Sequence, residues 1–110
     1  MKNLSLKIDT SKLKLEEQDK KLSPIEMSTK VIMNVLIQYS QQNRGLLKDE
    51  RNQIYKLDSI FEEAVKNKTE IIELDDKDIG FIRKCFKDTR LTPNDLLHLV
   101  EVNIDNIKDR

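Results

Sequence analysis

The stretch Ser23-Pro24-Ile25-Glu26-Met27-Ser28-Thr29-Lys30-Val31-Ile32-Met33-Asn34-Val35-Leu36-Ile37-Gln38-Tyr39 sets the character of this chain. It opens as a helix start, with Ser at the N-cap, Pro at the first helical position and Glu three residues after the cap. The Ser23 hydroxyl can accept from an orphan backbone N–H while Glu26 reaches back to the cap's own N–H. Leu22 and Met27 stand at the spacing of a hydrophobic staple. Beyond the cap, Val31, Ile32, Val35, Leu36 and Tyr39 form one stripe, which Met33 and Ile37 widen. A helix apolar around so much of its girth belongs at the centre of a core. It is no membrane span, because Asn34 and Gln38 interrupt it and a spanning helix needs about 20 apolar residues. The helix should stop near Gln42 and Asn43, with Gly45 supplying a left-handed residue.

Toward the C-terminus, Ile54, Leu57, Ile60, Phe61, Ala64 and Val65 recur at three and four residues and predict a second helix from Leu47 to Asn67. The short connection makes residues 23–67 an antiparallel helical hairpin. Thr69-Glu70-Ile71-Ile72-Glu73-Leu74 has the β-branched content and partial alternation of a short strand. Asp75-Asp76-Lys77-Asp78 then opens a third helix with Ile79, Ile82, Cys85 and Phe86 inward. Thr92-Pro93-Asn94-Asp95 repeats the cap logic for a fourth, with Thr92 as cap and Pro93 next. Its apolar positions are Leu96, Leu97, Leu99, Val100, Ile104 and Ile107.

Toward the N-terminus, Leu4 to Ile8 alternate apolar and polar with period two. Asp9-Thr10-Ser11 has turn chemistry, and Leu13 and Leu15 resume the alternation, so residues 1–22 form either a hairpin or one strand with an extended lead-in. The whole chain, 1–110, is therefore expected to be a single α+β domain. It should be mostly helical, with about four helices packed on a two-stranded antiparallel ribbon or on an N-terminal hairpin. In the ribbon version the strand within 69–110 pairs with the N-terminal one.

Composition narrows the function classes. The chain has 110 residues, with 20 Lys plus Arg against 20 Asp plus Glu, so no overall field steers it toward polyanions. One Cys excludes an internal disulfide framework and points to a reducing compartment. The N-terminus has no secretory signal pattern, so a cytoplasmic location is expected. Two Gly residues 35 positions apart cannot build a phosphate cradle, which counts against a nucleotide-driven enzyme.

Four features carry candidate chemistry. Glu73, Asp75, Asp76 and Asp78 could offer oxygen ligands to a hard cation. A calcium loop opening at Asp75 would place Gly80 correctly but needs Glu where Phe86 stands, whereas acids at a helix start are expected from capping and the helix dipole. His98, the only histidine, lacks the partners a general base or zinc ligand needs and reads as a surface residue. Cys85 sits at a core-spaced position near Arg83, Lys84 and Lys87, and reads as a small apolar filler. A weak basic set, Lys7, Lys12 and Lys14 with Arg83, Lys84 and Lys87, could meet nucleic acid if the fold gathers it. The fourth helix opposes that reading, since it bears Asp95, Glu101 and Asp105 and no Lys or Arg before Lys108.

One outline of motifs is familiar. Lys7-Ile8-Asp9 closes a short strand, and Tyr55-x-Leu57-x-x-Ile60 marks the second helix. Glu73-Leu74-Asp75-Asp76-x-Asp78-Ile79-x-x-Ile82-Arg83-Lys84 passes from strand to helix, and a Pro93-led helix ends in Val100-Glu101-x-Asn103-Ile104. The order is similar to that of small uncharacterised proteins of tailed bacteriophages and prophages, although the charged insertion from Lys14 to Lys21 is longer than the linker there. The resemblance implies an origin and carries no site residue or activity. The expectation is a small non-enzymatic protein without a cofactor, binding another protein or itself through Met33 and Ile37. A host-factor modulator, an assembly helper and a minor virion component all fit, with a nucleic-acid-associated regulator as the alternative.

Overall fold

Helix α1 (Pro24–Gln42) forms the centre of the computed structural model, which describes residues 1–11, 13 and 19–107. Its cap forms as the sequence implies on one side: the Glu26 N–H donates to Ser23 Oγ at 3.2 Å. On the other side Glu26 does not reach the cap's own N–H. Its carboxylate instead accepts from the Ser23 hydroxyl at 3.3 Å. Of the two staple residues, Met27 is buried and Leu22 is half-buried.

The end of α1 is a Schellman turn. The Gly45 N–H donates to the Ser40 carbonyl and the Arg44 N–H to the Gln41 carbonyl. The residue at the pivotal left-handed position is Arg44, φ 57°, with Gly45 following at φ 103°. Helix α2 (Lys48–Asn67) ends in the same device, with Lys68 at φ 54° and the Thr69 N–H donating to the Ala64 carbonyl. At its start Leu47 occupies the cap position with no side-chain hydrogen bond.

Strand β1 (Lys2–Ser5) pairs antiparallel with β2 (Ile71–Leu74), placing Lys2 opposite Leu74 and Ser5 opposite Ile71. The ribbon is thus the expected one, and among the described residues β1 pairs with β2 alone. Leu13 lies outside any strand, and Leu15 falls outside the described residues. The ribbon gives β1 a covered face: Leu4 and Leu6 are buried with Ile72 and Leu74 on the face turned to the helices. The expected turn does form, as the Ser11 N–H and hydroxyl both donate to Asp9 Oδ1.

Helix α3 (Asp76–Asp88) is capped by Asp75, which accepts from the Asp78 N–H at 2.8 Å. Helix α4 (Asp95–Asp105) is capped by Asn94, not Thr92, through the Leu97 N–H at 2.7 Å. Pro93 therefore precedes the cap rather than following it. The corner between α3 and α4 is clamped to the end of α1 by one side chain. Gln42 Nε2 donates to the Arg90 carbonyl at 3.0 Å and Gln42 Oε1 accepts from the Arg90 N–H at 2.9 Å.

The result is a compact α+β domain with four helices and a two-stranded antiparallel sheet. Its core runs from Leu4 and Leu6 through Ile32, Val35 and Leu36 of α1 to Phe61, Ile82 and Ile104. Burying one such aliphatic side chain contributes roughly 1.5–3 kcal/mol. Phe81, which the periodicity did not place inward, is buried edge-on against Tyr39, with ring centroids 6.2 Å apart. Ser28, buried on α1, satisfies its hydroxyl by donating to the Leu6 carbonyl at 2.7 Å, which ties β1 to the central helix. Among the described residues no helix is long and apolar enough to cross a membrane.

Candidate functional site

α1 buries one side completely and presents the other as a ridge. Lys30, Asn34, Ile37 and Gln41 follow each other at helical spacing, and all four are exposed. Ile37 stands 46% exposed, while Met33, one turn earlier, is half-buried against the core. The two residues expected to form a contact surface therefore divide: Ile37 crowns the ridge and Met33 lines a hollow beside it.

Hollows open on both flanks of this ridge. One, of about 370 Å³, lies between α1 and α2, with Leu22, Met33, Phe61 and Val65 as its apolar lining and Glu26, Asp58 and Glu62 as its acids. The other, of about 320 Å³, lies between α1 and the approach to α4, with Val31, Leu91 and Leu96 set among Asn34, Gln38 and Asn94. Lys30 borders both. Sequence reading found the first flank through Met33 and missed the second. Val31 and Leu96 look like ordinary core positions until the packing leaves them partly uncovered.

The acid cluster is occupied from within. Lys56 of α2 places its ammonium 2.7 Å from Asp78 Oδ2 and 3.0 Å from Asp75 Oδ2. The Asp78 side chain is only 3% exposed, so Lys56 supplies the counter-charge that this carboxylate needs. Asp76 faces Lys2 at 3.4 Å. The Asp78 backbone N–H, and then Lys56, hold the Asp75 carboxyl below the usual value of 3.8, and hydrogen bonds from Lys56 to Asp78 and then Asp75 raise the lysine above 10.5. Among the described residues no group of three or more His, Cys, Asp or Glu is arranged to hold a metal ion.

Cys85 is fully buried, and burial pushes its thiol up to about 12. The neighbouring lysine does not offset this, because loss of hydration dominates. A neutral thiol in the core is a poor nucleophile. His98 is exposed on α4.

Arg83, Lys84 and Lys87 of α3 are each engaged or opposed nearby. Arg83 Nη2 donates to the carbonyls of Ile104 and Ile107, closing the C-terminal end of α4. Lys84 lies 3.7 Å from Glu50 and 5.7 Å from the centre of the Tyr39 ring. Lys87 borders a hollow shared with Glu101 and Asp105. Lys7 is exposed, and its carbonyl accepts from Asn103 Nδ2 of α4. Lys12 and Lys14 lie outside the described residues.

No family model matches this chain, and neither the curated proteins nor the solved structures contain a match to it.

Proposed function

We propose that this chain is a small non-enzymatic protein that binds another protein, or a second copy of itself, through the outward side of α1. The observation that carries the reading is the exposed Ile37 on a ridge flanked by two partly apolar hollows, one of them lined by Met33. A side chain from a partner could seat in either hollow while Ile37 is covered. The internal pairing of Asp75 and Asp78 with Lys56, and the suppressed thiol of Cys85, weigh against catalysis at the groups that sequence reading singled out. The similarity in outline to small phage proteins supports an accessory role in phage growth. The single buried free Cys suits a reducing cytoplasm.

The test combines sedimentation velocity with cross-linked capture from the native host, using wild type, Ile37→Lys and Met33→Glu. Wild type should self-associate or retain a defined partner, and both variants should lose it with unchanged circular dichroism. A wild-type chain that stays monomeric and retains nothing would end the reading. Retention on DNA that falls steeply with salt would replace it with the nucleic-acid alternative.

A further inference from the structure

The outward face of α2 carries its exposed side chains in a telling order. Leu47 and Lys48 come first, then Arg51, Tyr55, Asp58 and Glu62, spaced at three and four residues. Leu47 is 76% exposed and Tyr55 67%. Leu47 also holds the N-cap, where Ser, Thr, Asn or Asp would satisfy an orphan N–H, and makes no such bond. Helix stability does not account for that choice. Charge is divided along the same face, with Lys48 and Arg51 on the N-terminal half and Asp58 and Glu62 on the C-terminal half. Among the described residues none of these four joins an ion pair. Arg51 does donate from Nη1 to the Leu46 carbonyl at 2.6 Å, which leaves its remaining N–H groups for another acceptor. Glu50, off this face, already meets Lys84.

We propose that two copies of this chain pair through α2, antiparallel about a two-fold axis at Tyr55, each seating Leu47 in the other's α1–α2 hollow. A helix with opposite charges on its two halves complements its own copy in this orientation. Lys48 lies seven residues before the axis and Glu62 seven after, so each Lys48 meets the copy's Glu62. Arg51, four before, meets the copy's Asp58, three after. The two Tyr55 rings meet at the axis. Leu47 and Val65 are eighteen residues apart, five full turns, and so share one side of the face. The two-fold axis keeps that side in register, which brings Leu47 beside the copy's Val65. Val65 lines the hollow of about 370 Å³, whose apolar wall also holds Leu22, Met33 and Phe61. Lys66 and Arg44 would meet as like charges at the rim, where water and salt screen them. The pairing goes beyond the α1 contact: it shares the hollow lined by Met33 but uses neither Ile37 nor the ridge.

The test is sedimentation velocity of the full chain over a range of concentrations, where wild type should dimerise. Arg51→Glu and Asp58→Arg should each weaken the dimer by roughly tenfold or more, because each sets like charges opposite. Their combination exchanges the pair in both halves of the interface and should restore it. Leu47→Ser supplies the missing cap bond, so it should weaken the dimer while raising the urea midpoint of the dilute monomer. Oxidation of Tyr55→Cys with copper phenanthroline should link two chains, since the native Cys85 is buried. A chain still monomeric at about 1 mM overturns the proposal. So does a dimer that Arg51→Glu and Asp58→Arg leave intact, or one that their combination fails to restore. A dimer lost with Ile37→Lys and kept with Leu47→Ser assigns the contact to the α1 ridge, which upholds the proposed function and ends this pairing.

Discussion

Arg44 and Lys68 hold left-handed backbone at the ends of α1 and α2, where glycine would sit without strain. A left-handed L-residue costs roughly 1–2 kcal/mol, and a cation at a helix C-terminus recovers about 0.3–1 kcal/mol of it. Strain outweighs charge, so Arg44→Gly should raise the urea midpoint, by the equivalent of about 0.5 kcal/mol or more. Gly80 is the opposite case, since it lies exposed inside α3 and an added Cβ there would meet nothing within 4 Å. Gly80→Ala should stabilise by about 0.5–1 kcal/mol in the same titration. Gly45→Ala should destabilise despite equally open space, because φ is 103° there. Cys85 gives a third expectation at this scale. With its thiol buried and raised to about 12, it should react with a thiol reagent only as fast as the chain unfolds. Rapid labelling of the native protein would contradict that assignment.

Helix boundaries separate what the sequence displays from what only packing decides. The start of α1 was legible because Ser23, Pro24 and Glu26 are local and need no tertiary partner. The fourth helix misled for an equally local reason. Thr92-Pro93 has the look of a cap followed by its first helical residue, yet Asn94 wins with a 2.7 Å bond to the Leu97 N–H. Asn94→Ala should therefore cost about 1 kcal/mol, whereas Thr92→Ala should stay within about 0.5 kcal/mol of wild type. Thermal unfolding of the two variants decides between the caps. The strands were readable as strands from their alternation, but their pairing was not, since a hairpin closed at Asp9 obeys the same period-two rule. Of the contact surface, Met33 and Ile37 were legible as an excess over one helical stripe. The flank at Val31 and Leu96 was not, because a groove depends on what neighbouring elements leave uncovered. The partner of the acid cluster was equally hidden: nothing local to Lys56 marks it as the counter-charge for a helix start 19 residues away.

Across the whole molecule, balanced charge conceals one paired site with a predictable pH signature. The folded pKa of Asp75 lies below 3.8, so the stabilisation it brings is complete above that value and disappears as pH falls through the folded pKa. Lys56 lies above 10.5, so its contribution is complete below that value and is lost as pH rises through its folded pKa. Stability from this pair should be flat across neutral pH and fall at both ends. Urea midpoints of Asp75→Asn should show a shallower decline below about pH 4 than wild type. An unchanged acid limb would mean that neither the cap bond from the Asp78 N–H nor the contact with Lys56 holds Asp75 in solution.

Pairing residues 2–5 with residues 71–74 also fixes an order of events during synthesis. Leu4 and Leu6 leave the ribosome well before β2, and the strand that shelters them is made some seventy residues later. At about 5–20 residues per second that delay is on the order of 3–14 seconds. Meanwhile α1 and α2 can already pack as a local hairpin, since their contacts close a short loop. Lys7 waits longer still, because its partner Asn103 lies 96 positions away. The residues of β1 are thus made early and settle late. A ribosome-arrested chain ending before β2 should be cut by protease within residues 1–11, and one with α4 emerged should be spared there. The N-terminal strand closes the fold, and until it docks the growing chain carries two bare leucines in search of cover.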